Sequence, residues 1–261
     1  MMHVRGYWLN NTWKQLSTLR YNVILMKFVL SIVLALSISP TFGSQNIFVI
    51  HGYASPSLLM GTINRCLINA HYKTTNFKYN SFAEELDSIG ERLYLEIKKT
   101  SVDTVSFVTH SMGALVVRSM LQYSKNDHSF PKIFRIVMIA PPNKGAEIAD
   151  FFSSFEFLQR FLGPNVQLMR TDPTSYTNRL PIPLQAEIGI IIGIKGDGAG
   201  YNRAINGDND GLLTPSKAFL GTERDAVILR NEHNVLTQTK HVRRLILEFM
   251  QTGMFISREQ K

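Results

Sequence analysis

The residues with the clearest capacity for chemistry are Thr109-His110-Ser111-Met112-Gly113, which stand between two apolar segments. Residues 105–108 are a short apolar run that predicts a buried parallel strand, and residues 114–121 predict a buried helix. The five residues between them form a G-x-S-x-G turn with threonine in place of the first glycine. Such a turn lifts the Ser111 hydroxyl above the sheet edge and points the amide of Met112 at the same place. The sequence therefore predicts a nucleophile and half of an oxyanion hole.

A serine at this point has a plainer interpretation, because serine is also a common first residue of helices. The strand and the helix predicted on both sides favour the catalytic interpretation of Ser111, since the turn requires both. The segments VTHSMG and LVVR resemble the small bacterial lipases and serine esterases of the α/β-hydrolase superfamily, and more loosely the GPI-inositol-deacylase-like esterases. Thr109 and Ala114 replace two usual glycines of that pattern, and both are small enough for the turn.

The resemblance covers most of residues 46–253 and implies both a fold and an activity. It implies an α/β fold with a mostly parallel central sheet, flanking helices and a short cap insertion. It also implies a carboxylic-ester hydrolase, a lipase or esterase, exported from a bacterium. In the resembling proteins a His-Gly pair after an early strand leads into the second oxyanion donor. Here His51-Gly52 follows the apolar run 46–50, so the implied donor is the amide of Tyr53. His51 itself is interpreted as a structural histidine.

Two later loops hold an acid and a base in the order that the resemblance implies. Asp210-Gly211-Leu212-Leu213 resembles the acid-bearing D-G-x-V turn of the family, so Asp210 is the predicted acid and Asp208 the alternative. Either aspartate could instead stabilise a turn. His233 lies between the predicted last strand, 227–229, and the last helix. The order Ser111, Asp210, His233 is that of the α/β-hydrolases. The remaining histidines are interpreted as structural or solvent-exposed: His3, His71, His110, His128 and His241.

Strands and helices alternate along the chain, which predicts a parallel sheet with right-handed crossovers in a single domain, residues 44–261. Short apolar runs predict strands at 46–50, 105–108, 133–139, 188–194 and 227–229, and residues 75–79 are a further short strand candidate. Ser81 and Glu84 have the spacing of a capping box, which predicts a helix from Phe82 to Lys99.

Residues 143–185 interrupt this alternation and predict a cap or lid over the site. Within them, an aromatic-rich amphipathic helix is predicted from Ile148 to Leu162, where Gly163-Pro164 ends it. Phe151, Phe155 and Leu158 are expected to form a wall for the acyl group of a substrate. The alternative is that this apolar stripe simply packs on the core, as most such stripes do.

The composition is that of a globular protein, with 261 residues of which 44% are hydrophobic and 18% charged. The net charge is +8, and four basic residues but no acidic one lie in residues 1–43, which leaves +4 on the rest. A mildly basic body argues against a nucleic-acid binder and is compatible with a weak attraction to anionic membranes. Cys66 is the one cysteine, so no intrachain disulfide is expected.

No cofactor and no metal are expected. Residues 196–200 are rich in glycine, but no amphipathic helix follows them as a nucleotide-binding loop would require. Residues 206–211 imitate the start of a calcium-binding loop, yet Lys217 stands where the closing glutamate should be.

Residues 28–38 are apolar, follow Lys27 and precede small residues near Gly43, which is typical of a secretory signal. The run is short for a membrane span, which needs about 20 residues. We therefore expect export with cleavage near Gly43. An uncleaved N-terminal anchor is the alternative, and Met26 is an alternative start of the chain.

The predicted activity is hydrolysis of a carboxylic ester through an acyl-enzyme intermediate. The alternatives are an acyltransferase with the same three residues, an amidase or peptidase, and a non-catalytic binding protein of the same fold. The expected partner is an ester or lipid substrate bound by a monomer. The acyl length and the head group stay open, because a fold does not determine a substrate.

Overall fold

The computed structural model describes residues 45–55 and 57–257, without the side chains of residues 156, 158 and 159. Residues 1–43, predicted to be an N-terminal extension with a signal peptide or an anchor, lie outside this range. In the part of the chain that is described, no helix is long and apolar enough to cross a membrane.

Six strands form one sheet in which every neighbouring pair is parallel. Their order across the sheet is β2-β1-β3-β4-β5-β6. The predicted fold class is therefore confirmed, and each predicted strand is present, with β2 slightly earlier in the chain than expected. The strands are β1 Gln45–Ile50, β2 Lys73–Phe77, β3 Thr104–His110, β4 Lys132–Ile139, β5 Glu187–Ile194 and β6 Asp225–Arg230.

Helices cover both faces of the sheet. They are α1 Gly61–Asn69, α2 Leu86–Lys98, α3 Gly113–Ser124, α4 Glu147–Ser153, α5 Glu156–Leu162, α6 Asn165–Leu168, α7 Tyr176–Arg179, α8 Pro215–Ala218 and α9 Lys240–Thr252. The buried side chains of α2 and α3 pack on one face together with Phe107. Those of α1 and α9 pack on the other face together with Val108. Because neighbouring residues of a strand point to opposite faces, a sheet covered on both faces needs continuous apolar strands.

The last helix, α9, has the ends that the sequence predicts. The Thr239 side chain accepts a hydrogen bond from the amide of Val242 at 3.1 Å, as an N-cap residue does. Gly253 follows the helix in the left-handed conformation, with a φ of 75°, which glycine adopts without steric cost.

The helix predicted to begin at Phe82 begins at Leu86 instead, so the capping-box prediction is wrong. The Ser81 hydroxyl accepts a hydrogen bond from the amide of Ala54 at 2.9 Å and does not cap the helix. The amide of Leu86 donates instead to Oδ1 of Asn165, at 2.8 Å. A residue of the cap segment therefore replaces the local cap.

The single helix predicted from Ile148 to Leu162 is in fact two helices, α4 and α5, which separate at Ser154-Phe155. The Ser154 hydroxyl donates to the carbonyl of Phe151 at 2.7 Å. The backbone of Phe155 is extended, with a φ of −110° and a ψ of 94°. A serine that binds a helix carbonyl competes with the backbone ladder, which accounts for the break.

A buried guanidinium connects the cap segment to α3. Arg118 is 2% exposed, and it donates to the carbonyls of Asn143 at 2.8 Å, Leu180 at 2.7 Å and Pro181 at 3.0 Å. Burial lowers the pKa of Arg118 to about 10, so the group stays charged at neutral pH. Because these carbonyls lie near the two ends of the insertion, one side chain joins both ends to the helix that follows Ser111.

Candidate active site

Ser111 begins the turn between β3 and α3 with a strained backbone. Its φ is 52°, in the left-handed region that is unfavourable for a residue with a Cβ. Its amide donates to the carbonyl of Ile139 at 2.8 Å. This hydrogen bond continues the pairing of β3 with β4 beyond the last residue of β3, so the sheet itself holds the turn.

Two glycines allow the close packing around this turn. A Cβ on Gly113 would lie 2.7 Å from two carbonyl oxygens at the end of β1, so α3 can approach β1 this closely only with glycine there. A Cβ on Gly52 would lie 2.8 Å from the Cβ of Ser111. The first glycine position of the motif has more room, since the buried Thr109 places its hydroxyl near a carbonyl of β4.

His51 fixes the loop that follows β1. Its ring stacks on the ring of Tyr79 with centroids 4.0 Å apart. Nδ1 donates to the carbonyl of Gly52 at 2.9 Å, and Nε2 accepts from the amide of Tyr79 at 3.4 Å. Burial lowers the pKa of His51, which favours a neutral ring. These contacts agree with the structural role predicted for His51.

The two predicted oxyanion donors are the amides of Tyr53 and Met112. Met112 is the N-cap residue of α3, so its amide is a free donor of the helix N-terminus. Neither amide has a hydrogen-bond acceptor among the described residues. Tyr53 lines the same cavity as Ser111. Both amides are therefore free donors among the described residues.

Asp210 and His233, in the loops after β5 and β6, form a buried pair. Oδ2 of Asp210 lies 2.7 Å from Nδ1 of His233. Oδ1 accepts from the amides of Leu212 and Leu213, both at 3.0 Å. A carboxylate only accepts, so Nδ1 of His233 is the donor in this contact, and in the neutral tautomer of the ring Nε2 carries the lone pair. Nε2 is buried without a hydrogen-bond partner among the described residues.

The alternative acid, Asp208, has a different set of partners. Its carboxylate accepts from the amides of Lys195 at 2.9 Å and Gly196 at 2.8 Å. It stabilises the loop after β5 and makes no hydrogen bond to His233 among the described residues. The geometry therefore favours Asp210 over Asp208 as the partner of the histidine.

Ser111 and His233 line one cavity of about 240 Å³ below the cap segment. Among the described residues, no aspartate, glutamate, lysine or arginine lines this cavity. Its apolar walls come from the loops after β1 and β4, from the cap and from the loop that carries Asp210. They are Leu59, Pro142, Ala146, Ile148, Ala149, Phe152, Val166, Met169, Leu212 and Leu213.

The cap forms one wall of the cavity, but two of the three residues predicted for that wall do not line it. The inner face of α4 presents Ile148 and Phe152 to the cavity. Phe151 and Phe155 do not line it and are 52% and 38% exposed. The side chain of Leu158 lies outside the described part of the structure. The sequence predicts the helical period, but it does not predict which face of the helix turns toward the cavity.

Searches for relatives give matches by structure alone. No protein-family model matches the sequence, and no curated protein matches it. The mature lipase BlEst2 of Bacillus licheniformis superposes with a TM-score of 0.63 at 18% sequence identity, over 82% of this chain and 93% of that protein. The lin2722 product of Listeria innocua gives a TM-score of 0.58 at 15% identity, over 80% and 94%. A metagenomic carboxyl esterase, MGS0156, gives a TM-score of 0.56 at 15% identity, over 75% of this chain and 66% of that protein.

At such low identity these similarities establish the fold. The chain has the α/β-hydrolase fold, which it shares with bacterial lipases and esterases. The resemblance drawn from the turn around Ser111 is therefore confirmed at the level of the fold.

Proposed function

We propose that the protein is a serine hydrolase that cleaves carboxylic esters with uncharged acyl groups. One observation carries the proposal: the buried Asp210–His233 pair and the strained Ser111 meet at one apolar cavity. A histidine with a lone pair on Nε2 beside a serine in such a turn is the arrangement that activates a hydroxyl. Structural neighbours described as a lipase and as a carboxyl esterase support the same reaction class.

In the proposed reaction, Oγ of Ser111 attacks the ester carbonyl while Nε2 of His233 takes the hydroxyl proton. The negative charge forms on the carbonyl oxygen, where the amides of Met112 and Tyr53 would donate to it. Each such donor is typically worth about 3–4 kcal/mol in the transition state. The imidazolium then gives its proton to the departing alcohol as the C–O bond breaks. Water repeats the two steps on the acyl-enzyme and releases the acid.

Asp210 would hold the imidazole in the tautomer that the reaction needs. Its Oδ2 accepts from Nδ1 of His233, and its Oδ1 is fixed by two amides of its own loop. The carboxylate therefore cannot rotate without losing backbone hydrogen bonds. Such a partner also stabilises the positive charge that His233 acquires during the reaction.

The cavity suggests the size of the acyl group. Its volume of about 240 Å³ is below the ~300–1,000 Å³ of pockets that hold drug-sized ligands. An apolar wall of this size favours short or medium acyl chains over charged or bulky ones. We therefore expect turnover of p-nitrophenyl esters to peak at a short or medium chain and to fall for long chains.

The test is the intact mass of the protein after treatment with a fluorophosphonate. One adduct on the wild type, absent from Ser111→Ala and from His233→Ala, is the expected result. A folded wild-type protein that takes up no adduct, with and without detergent micelles, contradicts the proposal. A series of p-nitrophenyl esters of rising chain length then measures the acyl preference.

The proposal includes the place where the protein acts. The apolar residues 28–38 and the small residues before Gly43 favour export with cleavage of the segment. The exposed Phe157 and Phe161 of the cap, 67% and 75% exposed, favour a peripheral contact with lipid. The mass of the exported protein tests the first point, because a mature form that retains residues 26–43 contradicts cleavage.

A further inference from the structure

We propose that His110, the residue before the nucleophile, is a positioning residue that holds the general base His233 in place. The inference rests on the proposed function, in which His233 is the base. Nε2 of His110 lies 3.2 Å from the carbonyl oxygen of His233. The two rings also pack against each other, with centroids 4.8 Å apart and an angle of 51° between their planes.

The contact with His110 is the last of the hydrogen bonds that hold His233, the general base, in its loop. The amide of His233 donates to the carbonyl of Asp210 at 2.9 Å, and its side chain binds the same aspartate. Its carbonyl is the remaining polar group of the residue besides Nε2, and His110 is the donor that binds it. Every polar atom of His233 except the reactive nitrogen is thus held by a neighbour in the active site.

The chemistry of the two groups defines the protonation of His110. A carbonyl oxygen only accepts, so Nε2 of His110 must carry the proton in this contact. Burial, together with the nearby His233 and His51, lowers the pKa of His110 to about 3. The ring is therefore a neutral donor, and it adds no positive charge beside an imidazolium that forms on His233.

The position of His110 in the chain links the two reacting groups. Its peptide bond leads directly into Ser111, while its ring reaches a residue 123 positions away. A Cβ on Gly52 would lie 3.1 Å from Nδ1 of His110, so the other edge of the ring is also closely packed. The ring has little freedom to turn, so the loop that carries His233 is tied to the residue that directly precedes the nucleophile.

Two substitutions in the full chain separate donation from packing. His110→Phe keeps an aromatic ring and removes the donor. His110→Gln removes the ring and keeps an N–H donor on a side chain of similar length. With p-nitrophenyl butyrate, we expect His110→Phe to lower kcat about tenfold, the value of one lost buried hydrogen bond, without a change in KM. His110→Gln should restore most of the rate. A wild-type kcat in His110→Phe, or equal losses in both variants, would overturn the proposal.

A measurement on the wild-type protein keeps the test independent of whether a variant folds. Nitrogen spectra of the histidine rings should show His110 neutral with its proton on Nε2. The Nδ1 proton of His233, bound to Asp210, should give a downfield signal that broadens in a folded His110→Phe variant. A His110 ring protonated on Nδ1 alone would falsify the proposal. These spectra need no substrate, so they support or overturn the positioning even if the esters are not hydrolysed, a result that counts against the proposed function alone.

Discussion

The carboxyl ends of the strands, which carry Ser111 and are called the sheet edge below, and the cap are stabilised in different ways. At the sheet edge, Ser111 is held by a backbone bond to β4 and by the close approach of Gly52 and Gly113. The cap depends on a few buried polar side chains, chiefly Arg118 and Asn165. Backbone pairing depends little on residue type, while each of these anchors is one side chain. The strand pairing beneath Ser111 therefore tolerates most substitutions other than those of its two glycines, whereas the wall that surrounds the substrate depends on side chains that one substitution removes.

The sheet edge gives the largest expected effect. Asp210→Asn should lower kcat by about 10⁴-fold, because an amide turned toward Nδ1 favours the wrong tautomer of His233. The matched control is Asp208→Asn, in the same loop, whose carboxylate binds only backbone amides. We expect this control to keep most of the wild-type kcat for p-nitrophenyl butyrate. Equal losses in the two variants would show that the loop, and not the acid–base pair, limits the rate.

The second prediction tests the anchor of the cap. Arg118→Met should lower the free energy of unfolding by about 3 kcal/mol, because three carbonyls lose their buried donor. Arg179→Met, in the same cap but exposed, should change it by less than about 0.5 kcal/mol. Denaturant titration gives both values.

Hydrogen exchange shows which part of the Arg118→Met variant is destabilised. We expect the amides of residues 143–185 to exchange faster, while those of β3 and β4 keep their protection. A uniform loss of protection across the sheet would mean that the cap and the sheet edge form one cooperative unit, and the contrast between them would not hold.

The third prediction tests how closely α3 packs on the end of β1 at the turn that carries Ser111, called the elbow here. Gly113→Ala places a Cβ 2.7 Å from two carbonyl oxygens, and overpacking of this kind costs about 1–3 kcal/mol of unfolding free energy. The kcat should fall as well, since the shift displaces the N-terminus of α3. Gly61→Ala, at the start of α1, meets nothing within 4 Å and should leave stability and rate unchanged. If both substitutions are tolerated equally, the elbow has more freedom than its packing indicates.

The sheet edge could be predicted from the sequence because its rules are local. A strand covered on both faces needs a continuous apolar run, and each strand has one except β2, which lies at one edge of the sheet and reads Lys-Thr-Thr-Asn-Phe. The loops that carry Asp210 and His233 follow two such runs, and their order, together with the resemblance of residues 210–213 to the acid-bearing turn of the family, indicated the pair. The contact of His110 with His233 joins residues 123 positions apart, and no local pattern signals it.

The cap could not be predicted in detail because its structure depends on tertiary contacts. Asn165 caps α2 from 79 positions away, which displaces the local capping box at Ser81. Ser154 ends α4 through a side-chain bond that competes with a helix that the apolar pattern would continue. The pattern of aromatic residues gave the helical period, while the cavity decided which face became the wall.

The smallest effect concerns that wall, and it separates the two faces of α4. Phe152 lines the cavity, whereas the neighbouring Phe151 is 52% exposed. Phe152→Ala should enlarge the cavity and shift kcat/KM toward longer acyl chains by about tenfold, in the range that a few methylene contacts are worth. Phe151→Ala removes the same side chain from the outer face and should leave the preference unchanged. Rates with p-nitrophenyl butyrate and p-nitrophenyl decanoate give the ratio for each variant. A shift in Phe151→Ala as large as that in Phe152→Ala would mean that the cap rearranges around the substrate, and that its exposed phenylalanines turn inward when an acyl chain is bound.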